Sequence, residues 1–121
     1  MEKLDIEQSI TNILSKYRKE LSGRGPIDVN AKILGHTIYV KMNLAFSRME
    51  KSMYRFIMEN NGLDKFNREH LTEGKKLIDQ TLEGKGLNSY TEKIILNPDL
   101  DKGFLYIIIV LNNNIEKQLI K

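Results

Sequence analysis

The stretch IDVNAKILGHTIYVKMNL, Ile27 to Leu44, decides the fold. In its first half Ile27, Val29, Ala31 and Ile33 alternate with Asp28, Asn30 and Lys32; in its second half Ile38, Val40, Met42 and Leu44 alternate with Tyr39, Lys41 and Asn43. A repeat of two belongs to extended chain with one face buried and the other wetted, so the pattern predicts two strands. Gly35-His36 between them is a short glycine-containing link of the kind a tight hairpin uses. The strands are therefore expected as antiparallel neighbours.

Upstream, the repeat lengthens. Leu4, Ile6, Ile10, Ile13, Leu14, Tyr17 and Leu21 recur at threes and fours across residues 3–21, the stripe of an amphipathic helix, with Glu7, Lys16, Arg18 and Glu20 expected to point elsewhere. The helix ends at Gly23, which tolerates positive φ, and Pro26 cannot donate into a continuing turn. Downstream, Ser47 and Glu50 have the S-x-x-E form of a capping box, in which each side chain accepts a bond from the other residue's orphan backbone N–H. A second helix is predicted from Ser47 to the cluster Asn60-Asn61-Gly62, with Met49, Met53, Phe56 and Ile57 as its apolar stripe. A third should run from Asp64 to Glu83, with Phe66, Leu71, Leu77, Ile78 and Leu82 inward, and stop at Gly84-Lys85-Gly86.

The remainder predicts a strand from Tyr90 to Leu96, a turn over Asn97 to Gly103, and a strand from Phe104 to Leu111. The last, FLYIIIVL, is apolar at every position, so it is expected in the centre of a sheet with both faces covered. The order helix, strand, strand, helix, helix, strand, strand defines a two-layer α+β fold with an antiparallel or mixed four-stranded sheet. One domain over 1–121 is expected, with a core from about residue 3 to 112 and a short tail, 113–121, that forms a short helix or frays. Should helices cover only one face of the sheet, a homodimer is the cheapest cover for the other.

Composition narrows the function. Of 121 residues, 40% are hydrophobic and 29% charged, the balance of an ordinary globular chain, and no run approaches the ~18 apolar residues of a membrane span. The opening MEKLDIEQSI has acidic residues where a secretory signal is basic, which points to the cytoplasm. Without cysteine there is no disulfide framework, thiolate nucleophile or cysteine-based zinc site. The net charge of +3 is far weaker than the basic stripe of a dedicated nucleic-acid binder, so a nucleic-acid partner is not called for.

Few residues present themselves as a site. Glycine-rich turns can hold an anion on backbone N–H groups, and in Gly23-Arg24-Gly25 the arginine would add a two-pronged donor for phosphate or carboxylate. Against that stands position: the turn follows a helix C-terminus, whose dipole is negative, and an arginine there is favourable without any ligand. His36 and His70 have no third ligand at metal-binding spacing, so neither a metal nor a cofactor is expected. No serine stands in a nucleophile elbow, no phosphate-binding G-x-x-x-x-G-K-S/T occurs, and the carboxylates Asp99 and Asp101 belong to a turn, so no residue volunteers for catalysis. Arg48, Lys51 and Arg55 beside Met49, Met53 and Met58 read either as a basic face for an acidic partner or as a solvated face over a methionine-filled core.

Taken together, the helix ending in Gly23-Arg24-Gly25-Pro26, the strand pair broken at Ile33-Leu34-Gly35-His36, the helix entered through Ala45 to Glu50, the helix bearing Arg68 and the closing Leu-Glu-Gly-x-Gly before two strands resemble the small bacterial MpsC-like family. The resemblance extends over about residues 5 to 112. It implies a soluble accessory or regulatory component of a sodium-translocating, membrane-potential-generating system, working by protein contact, with a membrane transport protein as partner and no insertion of its own. Alternatives are a sensor of small molecules or anions built on the GRGP turn and a nucleic-acid-binding regulator. The resemblance brings no catalytic residues; Gly23, Arg24, Gly25, Glu50 and Arg68 are the positions it marks for ligand or partner contact. The chain departs from the family pattern at Glu59-Asn60-Asn61 and in its C-terminal asparagine run.

Overall fold

The structure, a computed structural model, describes residues 2–60 and 62–119, and of residues 63–70 the backbone alone. Eight elements follow one another: α1 (Lys3–Ser22), β1 (Asp28–Leu34), β2 (Thr37–Asn43), α2 (Arg48–Glu59), α3 (Leu63–Gly84), β3 (Thr91–Asp99), β4 (Phe104–Leu111) and α4 (Ile115–Leu119). The strands form one antiparallel sheet in the order β1-β2-β4-β3, so the fold is α+β and FLYIIIVL is a central strand, as the sequence predicts.

The period of two in the opening stretch settles the hairpin register. Leu34 pairs with Thr37 and Asp28 with Asn43, which puts Ala31, Ile33, Ile38, Val40 and Met42 on the buried face and Asn30, Lys32, Tyr39 and Lys41 in water. Ile27, expected inward, lies before β1 and is exposed, although its N–H donates to Asn43 O at 2.7 Å. On the buried face Ile6, Ile10 and Leu14 of α1 and Ile78 and Leu82 of α3 join the strands in one core.

β4 corrects the expectation that both of its faces are covered. Leu105, Ile107, Ile109 and Leu111 are buried against the helices, whereas Phe104, Tyr106, Ile108 and Val110 are only half-buried on the face that β2 shares with exposed Tyr39 and Lys41. Their partial shelter comes from neighbours in the sheet: Phe104 and Tyr106 lie 6.2 Å apart, and Lys41 Nζ sits 4.2 Å over the Phe104 ring. β3 runs three residues beyond its predicted end, with Asn97, Pro98 and Asp99 paired to Tyr106, Leu105 and Phe104. A proline fits there because β3 is an edge strand, where the missing N–H breaks no ladder bond on the outer side.

On each edge strand a helix carboxylate takes one backbone N–H. On β1, Ile33 N–H donates to Glu7 Oε2 at 2.8 Å, and at the start of β3, Thr91 N–H donates to Asp79 Oδ1 at 2.7 Å. Glu7 is thus buried, where the sequence placed it outward. The asparagine run is structural as well: Asn112 Oδ1 accepts from Tyr90 N–H at 2.8 Å and Asn113 Nδ2 donates to Asn88 O at 2.7 Å. These bonds lead into α4, which buries Ile115 and Leu119 and ties Glu116 to Lys3 at 2.7 Å.

α2 differs from the other helices. Its capping box forms as predicted, with Glu50 N–H donating to Ser47 Oγ and Ser47 N–H to Glu50 Oε1, both at 3.2 Å. Yet it has no buried residue, and the expected inward stripe Met49, Met53 and Phe56 is exposed. The segment leading into it continues the pairing of β2 with β4, since Leu44 and Ala45 N–H both donate to Gly103 O, at 2.8 and 3.2 Å. Gly103 is required there: a Cβ would come within 3.2 Å of Ala45 Cα, and its φ is +76. No helix among the described residues is long and apolar enough to cross a membrane.

Candidate functional site

The loose seating of α2 leaves space beneath it. A cavity of about 740 Å³ lies among α1, α2, α3 and the helix-facing side of the sheet. Its wall is apolar, with Leu14, Met42, Ile78, Leu96, Leu105 and Ile107 among its residues. Tyr17 lies along the backbone of α3 at Gly74, where a Cβ would stand 3.4 Å from Tyr17 Cε2, in ordinary contact. Exposed Leu21, Arg24, Gly25 and Met53 also line the cavity and mark where it opens.

Glu50 organises that opening. One carboxylate oxygen closes the capping box, while the other accepts from Arg18 Nη2 at 2.6 Å; Arg24 Nη2 stands 3.8 Å from Oε1. Partial burial pushes the Glu50 carboxyl up, but the Ser47 N–H and the Arg18 guanidinium outweigh it and hold the group below its ordinary value of 4.5, so it is ionised near neutrality. Arg18 also faces Tyr54, whose hydroxyl is pushed up by burial and drawn back by the guanidinium. The Tyr54 ring is fixed edge-on to Phe46 at 5.1 Å. Arg18 Nε is buried and has no hydrogen-bond partner among the described residues. On the opposite wall, burial raises the Tyr17 hydroxyl, helped by the charges of Glu73 and Glu20.

The GRGP turn is first of all a helix stop. Gly23 sits at φ 78, its N–H donating to Lys19 O at 2.8 Å, and the Ser22 hydroxyl bridges Arg18 O and Arg24 O at 2.9 and 2.8 Å. Arg24 N–H faces Ser22 Oγ at 3.4 Å, so two of the turn's amides are already engaged. Gly23, Arg24, Gly25 and Glu50, singled out in the sequence, are brought together at the cavity opening. The side chains of Arg68 and His70 lie outside the described residues, and His36 is exposed in the β1–β2 turn. Among the described residues no group of three His, Cys, Asp or Glu is placed to hold a metal.

Sequence reasoning missed Arg18, Tyr54 and the buried Glu7. A signal was present: Glu7 stands seven residues before Leu14 and Arg18 four after it, spacings that share the stripe of a buried residue.

The fold and the site together define a small two-layer α+β protein built round an apolar cavity with paired charges at its opening. Residues 2–113 match the family described as MpsC, Na+-translocating membrane potential-generating system, and the chain belongs to that family. No curated protein and no solved structure matches the chain.

Proposed function

We propose that the chain is a cytoplasmic accessory protein of the membrane-potential-generating system in its family's description, acting by contact with a transport protein of that system. The observation that carries this reading is α2: Met49, Met53 and Phe56 stand in water while Arg48, Lys51 and Arg55 flank them. An apolar stripe left uncovered beside a basic one is the form of a contact surface for an acidic, partly apolar partner, and methionines adapt readily to such a surface. The half-covered face of the sheet supports homodimerisation in the same terms, since Tyr39, Tyr106 and Ile108 would be sheltered by a second copy.

One experiment addresses both surfaces. A photo-crosslinking residue is placed at Met53 or at Ile108 in the full chain, in its native cells. Met53 is expected to yield an adduct with a membrane transport protein, lost when Lys51 and Arg55 are both changed to Glu, and Ile108 an adduct of two chains. A folded chain whose Met53 variant gives no adduct with a second protein contradicts the accessory role, and one whose Ile108 variant gives no two-chain adduct contradicts the dimer.

A further inference from the structure

From the cavity and its opening we infer that the chain binds a single-chain amphiphile carrying one negative charge, its apolar body in the cavity and its anionic head between Arg18 and Arg24. This goes beyond the partner contact and does not depend on it.

The size and wall set the body of the ligand. At about 740 Å³ the cavity falls within the ~300–1,000 Å³ typical of small-molecule sites, and its deep wall of Leu, Ile and Met offers nothing to a polar group. An alkyl chain in such a cavity gains dispersion contacts with each wall side chain it touches.

The opening sets the head. Among the described residues that line the cavity the charged ones are Arg18, Arg24 and Glu50, and their sum is one positive charge. Glu50 is already committed to Ser47 N–H and to Arg18 Nη2, so a cationic head would find no unengaged acceptor in it. Arg18, by contrast, lines the cavity with a guanidinium whose Nε has no acceptor among the described residues, and a guanidinium donor left in that state is costly. Arg24, whose side chain is 70% exposed and touches Glu50 only at 3.8 Å, can turn to the same head. A carboxylate suits both, because its two oxygens match the fork of a guanidinium. Tyr54, held edge-on by Phe46, borders the place where head and chain would join.

The test is calorimetric titration of the purified full chain with dodecanoate below its micelle concentration, beside dodecanol and dodecyltrimethylammonium. Dodecanoate is expected to fill one saturable site at least about tenfold more tightly than dodecanol, the effect of a hydrogen bond to a charged group. Dodecyltrimethylammonium is expected to bind more weakly than either. Arg24→Gln, at an exposed position that leaves the fold intact, should weaken dodecanoate severalfold and leave dodecanol unmoved. Leu96→Phe, which fills the cavity from its floor, should weaken all three while circular dichroism shows the chain folded. Equal affinity for dodecanoate and dodecanol, or no saturable binding of dodecanoate by the folded chain, overturns the proposal. So does binding to phosphatidylglycerol vesicles without any dodecanoate site, which would locate the anion recognition at a membrane surface.

Discussion

α1 carries its apolar stripe into the core, with Ile6 and Ile10 fully buried, whereas α2 leaves Phe56 67% and Met49 73% exposed. Both are amphipathic in sequence. What separates them is the means of attachment. α1 is held by packing and by a buried carboxylate on the edge of β1, and α2 by the capping box, the Arg18–Glu50 pair and the Tyr54–Phe46 ring contact at one side. Amphipathicity thus reports that a helix has two faces, and burial has to be decided by what the rest of the chain brings against them.

The comparison can be broken first at its strong side. Ile10→Ala removes a fully buried side chain from the core and is expected to cost about 2–5 kcal/mol of global stability, read as a fall in the denaturant midpoint shared by all elements. A loss below ~1 kcal/mol would mean that α1 is seated no better than α2.

Acid should separate the two helices next. Glu50 has its folded pKa below the ordinary value, so its stabilising effect is complete above that ordinary value and is lost as pH falls through it toward the folded one. Lowering the pH across that window is expected to release α2 by weakening charge-assisted bonds of about 1.5–3 kcal/mol in size, while Ile6, Ile10 and Leu14 keep α1 in place. Hydrogen exchange resolves this, because Glu116 is also held low by Lys3 and will loosen α4 in the same window. Faster exchange over residues 48–59 ahead of residues 6–14 is the expected order, and simultaneous loss would make the two helices one cooperative unit.

The smallest effect sharpens the contrast. Phe56→Ser on α2 should change stability by no more than about 0.5 kcal/mol, since nothing in the core loses a contact. A thermal shift of several degrees would show that the exposed stripe is covered in solution.

The hairpin, the central strand and the start of α2 were legible because each rests on a local pattern: alternation in Asp28 to Asn43, an unbroken apolar run in β4, and a Ser-x-x-Glu box. From sequence alone Pro98 belongs to a turn, because only the sheet order reveals that β3 is an edge strand where proline is tolerated. The charge of Glu7 and Arg18 masks their spacing and predicts them outward, whereas the cost of burying them is met by partners 26 and 32 residues away. The cavity was not legible at all, since it is a volume bounded by three helices and three strands. Its opening was partly so, through Gly23, Arg24, Gly25 and Glu50, which the sequence marked for other reasons.

The carboxylates on the sheet edges have a consequence for the chain in a crowded cell. With Ile33 N–H taken by Glu7, Thr91 N–H taken by Asp79, an irregular register between Thr91 and Lys93, and Pro98 lacking a donor altogether, neither margin offers a clean row of hydrogen bonds to an incoming strand. Fibrillar growth, in which copies add one strand after another, is therefore opposed at both ends of the sheet.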